Sequence, residues 1–443
     1  MAVYQDREAF IPYRRTDIIE LCLEDGQLAD SDVQKFRDFC QILAAYYHFQ
    51  FHQTLETLKD NFAPFNPDAN TNFFTKPLPE QLKNMEIKVV ATFETLLERA
   101  NYVLLSPKNL QLAFQEKSLI ELRTSVDFDE FDQMVCYCCG DTHKVISVKK
   151  FWKKVQKRIE VFERVALLIK FKDEAYFAKK EISTESFNFT PGKMYVYLYK
   201  NVPKFDLELL FPNIKISMTW KDRLLLVIPA IGAAIPLMLK ILPQLLLIVA
   251  AILFFTVGPS VLETVKASEE EVRNIMPVLV ATLSLLVTLG GFAFKQYSSY
   301  KSKQIKFQKK VTETLFFKNM ANNAGVFQSL IDIAEEEECK EIILVYYHLL
   351  TSPIPLNPEQ LDDQIEEWMD SKFGHKIDFD IHGPLNNLRE IRGKIIEEFD
   401  NHQNQGEVSL LKYDAQGYCQ VLPLDDAKRV IDYVWDNAFI YSK

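Results

Sequence analysis

The sequence contains none of the short motifs that mark common catalytic or nucleotide-binding sites. Its 443 residues include no GxSxG nucleophile turn, no P-loop, no GxGxxG dinucleotide signature and no HExxH zinc-protease motif. His48 and His52 are spaced one helical turn apart, but the glutamate that a zinc protease needs is missing. We therefore predict a protein that is not an enzyme and that holds no cofactor.

A second cysteine pair of the kind found in zinc sites is also missing. CYCCGDTH (136–143) offers Cys136, Cys138, Cys139 and His143, and thiolate and imidazole are the ligands that zinc prefers. On a strand, however, Cys139 faces away from Cys136 and Cys138, and no CxxC pair recurs elsewhere. The stretch predicts a buried strand with cysteines packed as small apolar residues, and these four residues are its only metal candidates.

Acidic residues, arginine and histidine are absent from two long apolar runs. Residues 224–257 contain one charge, Lys240, and the 20 residues 275–294 contain none. A membrane core of ~30 Å needs about 20 apolar residues in a helix. The pattern predicts a two-span transmembrane hairpin over residues 221–294.

The first of these runs is too long for one span, so we expect it to be bipartite. Residues 241–257 fit one span, and residues 224–239, with Pro229 and Pro236, would cross, lie flat or re-enter. Lys240 would lie at the membrane junction, with its ammonium group among the headgroups.

The charges beside the runs predict the orientation. Lysines follow Phe294 and precede Leu224, whereas the linker between the runs carries four glutamates. Because Lys and Arg accumulate on the cytoplasmic side, both termini are expected inside. With no signal-peptide core at the N-terminus, the sequence predicts a multi-pass protein of a bacterial inner or thylakoid membrane.

The remaining chain predicts an α+β membrane protein with a helical plus antiparallel-sheet N-terminal domain and a C-terminal winged-helix-like domain. Apolar spacing is helical early in the chain and becomes strand-like near Ser125, and residues 414–417 predict a hairpin turn. The predicted regions are a helical region (1–122), a small antiparallel sheet of the same domain (123–220), the hairpin (221–294), a basic juxtamembrane helix (295–319) and the acidic winged-helix-like domain (320–443).

Charge is distributed unevenly, and this predicts the partners. From Met320 onward there are 10 Lys and Arg against 24 Asp and Glu, which disfavours nucleic acid and favours a protein partner on the C-terminal domain. VKKFWKKVQKR (148–158) would lie as a basic helix on a bilayer with anionic headgroups, whereas AEEEECKE (334–341) predicts a solvated face with a Glu336–Lys340 pair. The predicted lipid contacts are Lys149, Lys150, Trp152, Lys153, Lys154, Lys157, Arg158, Lys295, Lys301 and Lys303.

Three segments together resemble a family of membrane proteins of unknown function found in cyanobacteria and plants, related to mitochondrial transmembrane proteins. The segments are FERVALLIKFKDEAYF (162–177), YKNVPKFDLELLFPN (199–213) and FFKNMANNAGVFQSLIDIAEEEECKEIILVYYHLL (316–350). The resemblance implies two membrane helices and no assigned reaction. It supplies no catalytic residues.

These observations predict a non-enzymatic integral membrane adaptor or assembly platform with both soluble domains on the cytoplasmic side. The alternative is an oligomeric ion channel or transporter subunit, and a homo-oligomer is compatible with either function. Two spans in one chain leave no pathway unless several copies assemble. Apart from Lys240, neither run carries the ionisable groups usual in transporters.

Overall fold

The computed structural model describes residues 3–4, 9–69, 73–106, 108, 110, 123–150, 153–181, 184, 187–217, 249, 252, 256, 275–374, 376–395 and 406–438. The chain divides into two compact units. Unit 1 comprises residues 1–117, 127–213 and 318–443, and unit 2 comprises residues 118–126 and 214–317. The N-terminal region and the acidic C-terminal region thus belong to one unit.

Strands and helices alternate irregularly along the described chain. The strands are β1 (Val3–Tyr4), β2 (Val103–Leu104), β3 (Arg123–Ser125), β4 (Phe131–Lys150), β5 (Lys153–Phe171), β6 (Met194–Pro203), β7 (Lys215–Ser217), β8 (Asn319–Asn322), β9 (Arg392–Gly393), β10 (Val408–Ser409), β11 (Leu411–Tyr413) and β12 (Cys419–Val421). The α-helices are α1 (Arg15–Glu24), α2 (Asp30–Phe62), α3 (Pro79–Arg99), α4 (Glu174–Lys179), α5 (Ile275–Lys318), α6 (Ala324–Thr351), α7 (Pro358–Phe373), α8 (His382–Glu390) and α9 (Leu424–Asp436).

The helices α1 to α3 form where apolar residues recur at helical spacing. In α2 the buried positions fall three or four residues apart from Phe36 to Phe62, with one adjacent pair, so one stripe of the helix faces the core. α1 and α2 are separated at Gly26, whose φ of +70° lies in the left-handed region that glycine adopts without strain. All three helices lie within the region 1–122, for which the sequence predicts helices.

The sheet of unit 1 is antiparallel and has six strands. Its order is β1-β4-β5-β6-β8, and β2 also pairs with β4. β4 and β5 are 20 and 19 residues long and form one continuous hairpin, with Lys150 opposite Lys153 at its end. One face of the sheet, with Val135, Ala166 and Leu198, contributes to the core shared with the helices. The α+β class and the antiparallel sheet are confirmed.

The C-terminal part of unit 1 surrounds α6. This 28-residue helix packs against α1, α2 and α3 from the N-terminal part and against α7 and α8 from its own part. Phe327 meets the rings of Phe62 and Phe93, and Tyr346 stacks on Phe39 with 4.1 Å between ring centroids. The predicted turn lies between β11 and β12, where Gly417 N donates to the Asp414 carbonyl.

Unit 2 contains two short paired strands, β3 and β7, and the long helix α5. α5 begins where the second apolar run begins, at Ile275, but it does not end with that run. It continues for 24 further residues beyond Phe294, through a lysine-rich stretch, to Lys318. Its 44 residues correspond to about 66 Å at a rise of ~1.5 Å per residue.

The predicted membrane architecture is contradicted. Among the residues that the structure describes, no helix combines the length and the hydropathy needed to cross a membrane. The two-span hairpin over 221–294, and with it the membrane fold class and the multi-pass bacterial or thylakoid localisation, is therefore wrong. The prediction of the second span was based on the length of the apolar run 275–294. In the structure that run is the first part of a longer helix, which continues through a lysine-rich stretch. Apart from helical residues at 249, 252 and 256, the first run lies outside the described residues.

Candidate functional site

The four metal candidates of CYCCGDTH lie on opposite sides of the sheet. Side chains alternate along a strand, so positions 136 and 138 of β4 share one face and positions 139 and 143 share the other. Cys139 belongs to the helix-facing core, and all seven cysteines of the chain are buried. Burial raises the pKa of the Cys136 thiol to about 12. Within the described ranges, no three His, Cys, Asp or Glu residues are arranged to hold a metal ion.

The basic stretch 148–158 is not a helix but the end of the β4–β5 hairpin. Lys149 pairs with Lys154, and Lys150 pairs with Lys153. The sequence prediction relied on the helical spacing of the apolar residues at 148, 151, 152 and 155. Pairing between the two strands, which brings Val148 opposite Val155, decides the structure instead. Trp152 and Lys240 lie outside the described residues. Lys295, Lys301 and Lys303 lie on α5 in unit 2.

This part of the hairpin extends beyond its neighbouring strands. β5 pairs with β6 only from Val161 onward, and β1 pairs with β4 at positions 142 and 143. Residues 144–150 and 153–159 therefore have only each other as strand partners among the described residues, and we call them the basic ribbon. At ~3.3 Å per residue the ribbon is about 23 Å long.

Basic positions occupy both faces of the ribbon. Register places positions 149, 154 and 158 on one face and positions 150, 153 and 157 on the other. Val145, opposite Arg158, is 65% exposed. A two-stranded ribbon of this kind can present positive charge to an anionic surface from either side.

The acidic run 334–341 is the site that the sequence interpretation missed. It lies on α6, where Glu337, Glu338, Lys340 and Glu341 are all at most 6% exposed. The predicted solvated face is therefore wrong, and Lys340 pairs with Glu337 rather than with Glu336. The sequence did contain a signal for burial, because the segments of α6 before and after the run are rich in apolar residues. A helix that is apolar on all sides is usually buried.

Lys340 and Glu337 bind the main chain of the N-terminal segment. Lys340 Nζ lies 2.8 Å from Glu337 Oε1 and donates to the carbonyls of Ile11 and Tyr13 at 2.5 and 2.9 Å. Ile11 N donates to Glu337 Oε2 at 3.2 Å. Burial raises the pKa of Glu337, and Lys340 opposes that shift. The pair thus attaches residues 11–13 to α6 without using their side chains.

Glu338 joins three helices. Its Oε2 lies 2.6 Å from Arg99 Nη2 at the end of α3, and its Oε1 accepts from Asn387 Nδ2 of α8 at 2.7 Å. The Arg99 guanidinium also lies 4.1 Å from the centroid of the Phe51 ring on α2. A planar guanidinium can donate to a carboxylate and stack on a ring at once, which suits a partly buried position.

Glu341 has no cationic partner among the described residues. Its Oε1 accepts from Asn101 Nδ2 at 2.5 Å, and the same amide donates to the carbonyl of Ala9 at 3.2 Å. Burial raises the pKa of Glu341 well above its ordinary value, and the nearby Glu337 and Glu338 raise it further. Glu341 therefore keeps its proton to a higher pH than an exposed glutamate does.

We expect Glu341→Gln to flatten the dependence of stability on pH. A carboxyl whose folded pKa is raised contributes most stability below its unfolded value, near 4.5, and loses it as pH rises above that value. Glutamine keeps the acceptor for Asn101 and does not titrate. Between pH 5 and pH 8 the free energy of unfolding should fall less steeply in the variant than in the natural chain. The difference in slope should be up to about 1.4 kcal/mol per pH unit. Urea unfolding at several pH values measures it.

The exposed Glu359 on α7 provides the matched control for this experiment. Glu359→Gln measures the effect of losing one acidic side chain outside the core. If Glu341→Gln left the slope unchanged, the pKa of Glu341 would not be raised in the folded protein. Because burial also raises the pKa of Glu337 and Glu338, part of the slope should remain.

A second charged surface lies on α7, and its charge is negative. Asp363, Glu366, Glu367 and Asp370 line a surface depression of about 200 Å³ together with Lys376 and Ile377. Desolvation and four neighbouring carboxylates raise the pKa of Asp362 to about 6. No ion pair joins Asp362, Asp363, Glu367 or Asp370 to a lysine or arginine within the described part of the chain. We call this surface the acidic face.

Comparison with protein families finds a match over part of the chain. A family described as a protein of unknown function (DUF3754) matches residues 162–325, from β5 to the start of α6. The predicted resemblance to an uncharacterised family is therefore supported over this range. No solved structure matches the chain.

Proposed function

We propose that this protein is a non-enzymatic adaptor that attaches to anionic lipid headgroups and receives a cationic segment of a protein partner. The observation that carries the proposal is the basic ribbon. Seven Lys and Arg positions lie on a two-stranded extension whose strands pair only with each other among the described residues, and six of the seven fall within residues 149–158. Each basic residue near an anionic lipid surface contributes about 1 kcal/mol, so the six together support stable attachment at low salt.

A lipid surface fits this charge distribution better than nucleic acid does. The ribbon and the acidic face belong to the same unit. A long polyanion that follows the surface of the unit would meet the repulsion of the acidic face, whereas a flat bilayer can contact the ribbon alone.

The acidic face supports the second half of the proposal. Its carboxylates repel one another, and this crowding contributes to the raised pKa of Asp362. A lysine- and arginine-rich segment would relieve the repulsion and hold Asp362 ionised. The partner is therefore expected to be cationic, and its binding should weaken as pH falls through about 6.

A bridging assay tests the proposal. The ribbon variant carries Lys149→Gln, Lys150→Gln, Lys153→Gln and Lys154→Gln, and the acidic-face variant carries Asp363→Asn, Glu367→Gln and Asp370→Asn. Binding to vesicles of phosphatidylcholine and phosphatidylserine is measured by sedimentation. The vesicle-bound protein is then offered a labelled lysine- and arginine-rich peptide.

The two variants should fail at different steps. At ~1 kcal/mol per lysine, the ribbon variant should bind vesicles about 10³-fold more weakly at low salt. The acidic-face variant should bind vesicles normally and lose the peptide. The matched control replaces the exposed lysines 108, 179, 200 and 412 with glutamine and should behave like the natural chain. Unchanged vesicle binding by the ribbon variant would refute attachment, and unchanged peptide capture would refute docking.

A further inference from the structure

We infer that the loop Phe73–Leu78 and the adjoining groove on α3 form a second lipid contact, in which Phe73 and Phe74 enter the bilayer interface and lysines bind headgroup phosphates. This inference rests on the proposed function, because it takes the same anionic lipid surface as its ligand. It adds an apolar contact to the purely electrostatic contact of the basic ribbon.

The loop exposes more apolar surface than a solvated loop needs. Phe74 is fully exposed, at 106% of its reference area, and Phe73 is 42% exposed. Leu78, at the start of α3, is 64% exposed, and Ile87 on the same helix is 56% exposed. Single exposed apolar side chains are common, but two adjacent exposed aromatic rings in the same loop as an exposed leucine mark an interaction surface.

The groove beside these side chains is positively charged. It has a volume of about 550 Å³, and none of the described residues that line it carries a carboxylate. Its lining residues are Asn61, Thr75, Lys76, Pro77, Gln81, Asn84, Met85 and Lys88. The nearby Glu86 does not offset the lysines, because it is engaged by Lys170 at 2.7 Å. Positive charge here suits a phosphate group, in a chain whose net charge is −10.

The exposure of Phe74 favours a bilayer over a protein as the occupant. A ring that is exposed on all sides must be surrounded on all sides when it is buried. Fluid acyl chains and headgroups do this without a matching cavity, and lysine side chains extend from the interface towards the phosphates. The apolar part of such a contact is present in Phe73 and Phe74, and the charged part is present in Lys76 and Lys88.

A single-site fluorescent probe tests the contact in the full chain. All seven natural cysteines are buried, so Phe74→Cys introduces one accessible thiol for an environment-sensitive fluorophore. Emission should shift to the blue with vesicles of phosphatidylcholine and phosphatidylserine, and brominated acyl chains should quench it. A shift with an acidic amphipathic peptide but not with vesicles would overturn the lipid assignment in favour of a protein.

An affinity measurement separates this inference from the proposed function. The double variant Phe73→Ser/Phe74→Ser should bind vesicles about 10²-fold more weakly, since burying each phenyl group contributes about 1.5 kcal/mol or more. The matched control, Ile354→Ser/Tyr413→Ser, alters two other exposed apolar residues and should have no effect. If the double variant bound normally while the ribbon variant did not, this inference would fail and the proposed function would stand. If only the double variant lost binding, the ribbon assignment would fail instead.

Discussion

Lys340→Met will lower the free energy of unfolding by about 3–5 kcal/mol, because it removes the cation that pairs with the buried Glu337. Both side chains are at most 3% exposed, and Lys340 also satisfies the carbonyls of Ile11 and Tyr13. Methionine fills a similar volume but donates no hydrogen bond. Urea unfolding followed by circular dichroism measures the change.

The exposed Lys412 on β11 provides the control for this substitution. Lys412→Met should change stability by no more than about 0.5 kcal/mol. The double variant Lys340→Met/Glu337→Leu should recover only part of the loss, because Ile11 N and two main-chain carbonyls then lack partners. A cost below about 1 kcal/mol for Lys340→Met would show that water enters the network and solvates Glu337.

Phe327→Ala is expected to cost about 3–5 kcal/mol, because it opens a cavity where three helices meet. The Phe327 ring on α6 lies 5.1 Å from the Phe62 ring of α2 and 6.1 Å from the Phe93 ring of α3, measured between centroids. The same substitution at the fully exposed Phe74 should cost at most about 0.5 kcal/mol. Thermal unfolding of both variants provides the comparison.

This variant also tests whether the N-terminal and C-terminal parts of unit 1 unfold together. Tryptophan fluorescence and circular dichroism should report one shared transition in the natural chain, shifted to lower temperature in Phe327→Ala. Two separate transitions, of which the variant shifts only one, would show that α6 stabilises its own part alone.

The sequence predicts the local elements of unit 1 well and its long-range contacts poorly. Apolar spacing identifies α2 and α3, and the Asp414–Gly417 turn identifies the β11–β12 hairpin, because these signals depend on neighbours within a few residues. The charge run on α6 is different. Its partners Ile11, Arg99 and Asn387 are distant in the chain, and an acidic run is exposed by default unless such partners are known.

The candidate surfaces also depend on contacts that the composition of the sequence does not reveal. Composition identifies the basic residues of 148–158, but strand pairing decides that they form a ribbon with basic positions on both faces. The exposed rings of Phe73 and Phe74 have no sequence signal, because Phe is ordinarily a core residue. The apolar run at 275–294 predicts a membrane span by length alone, whereas the observed helix extends to Lys318.

The position of α6 has a consequence for synthesis on the ribosome. Phe327 packs on Phe62 although 265 residues separate them in the chain. At ~5–20 residues per second, about 13–53 s pass between the synthesis of Phe62 and that of Phe327. During this time α6 is not yet present to cover the apolar stripe of α2. During that interval the nascent chain has to be shielded from aggregation, and closing so long a loop makes the final folding step slow. Cells that make this protein are therefore expected to need a chaperone that holds the N-terminal helices until Thr351 has emerged.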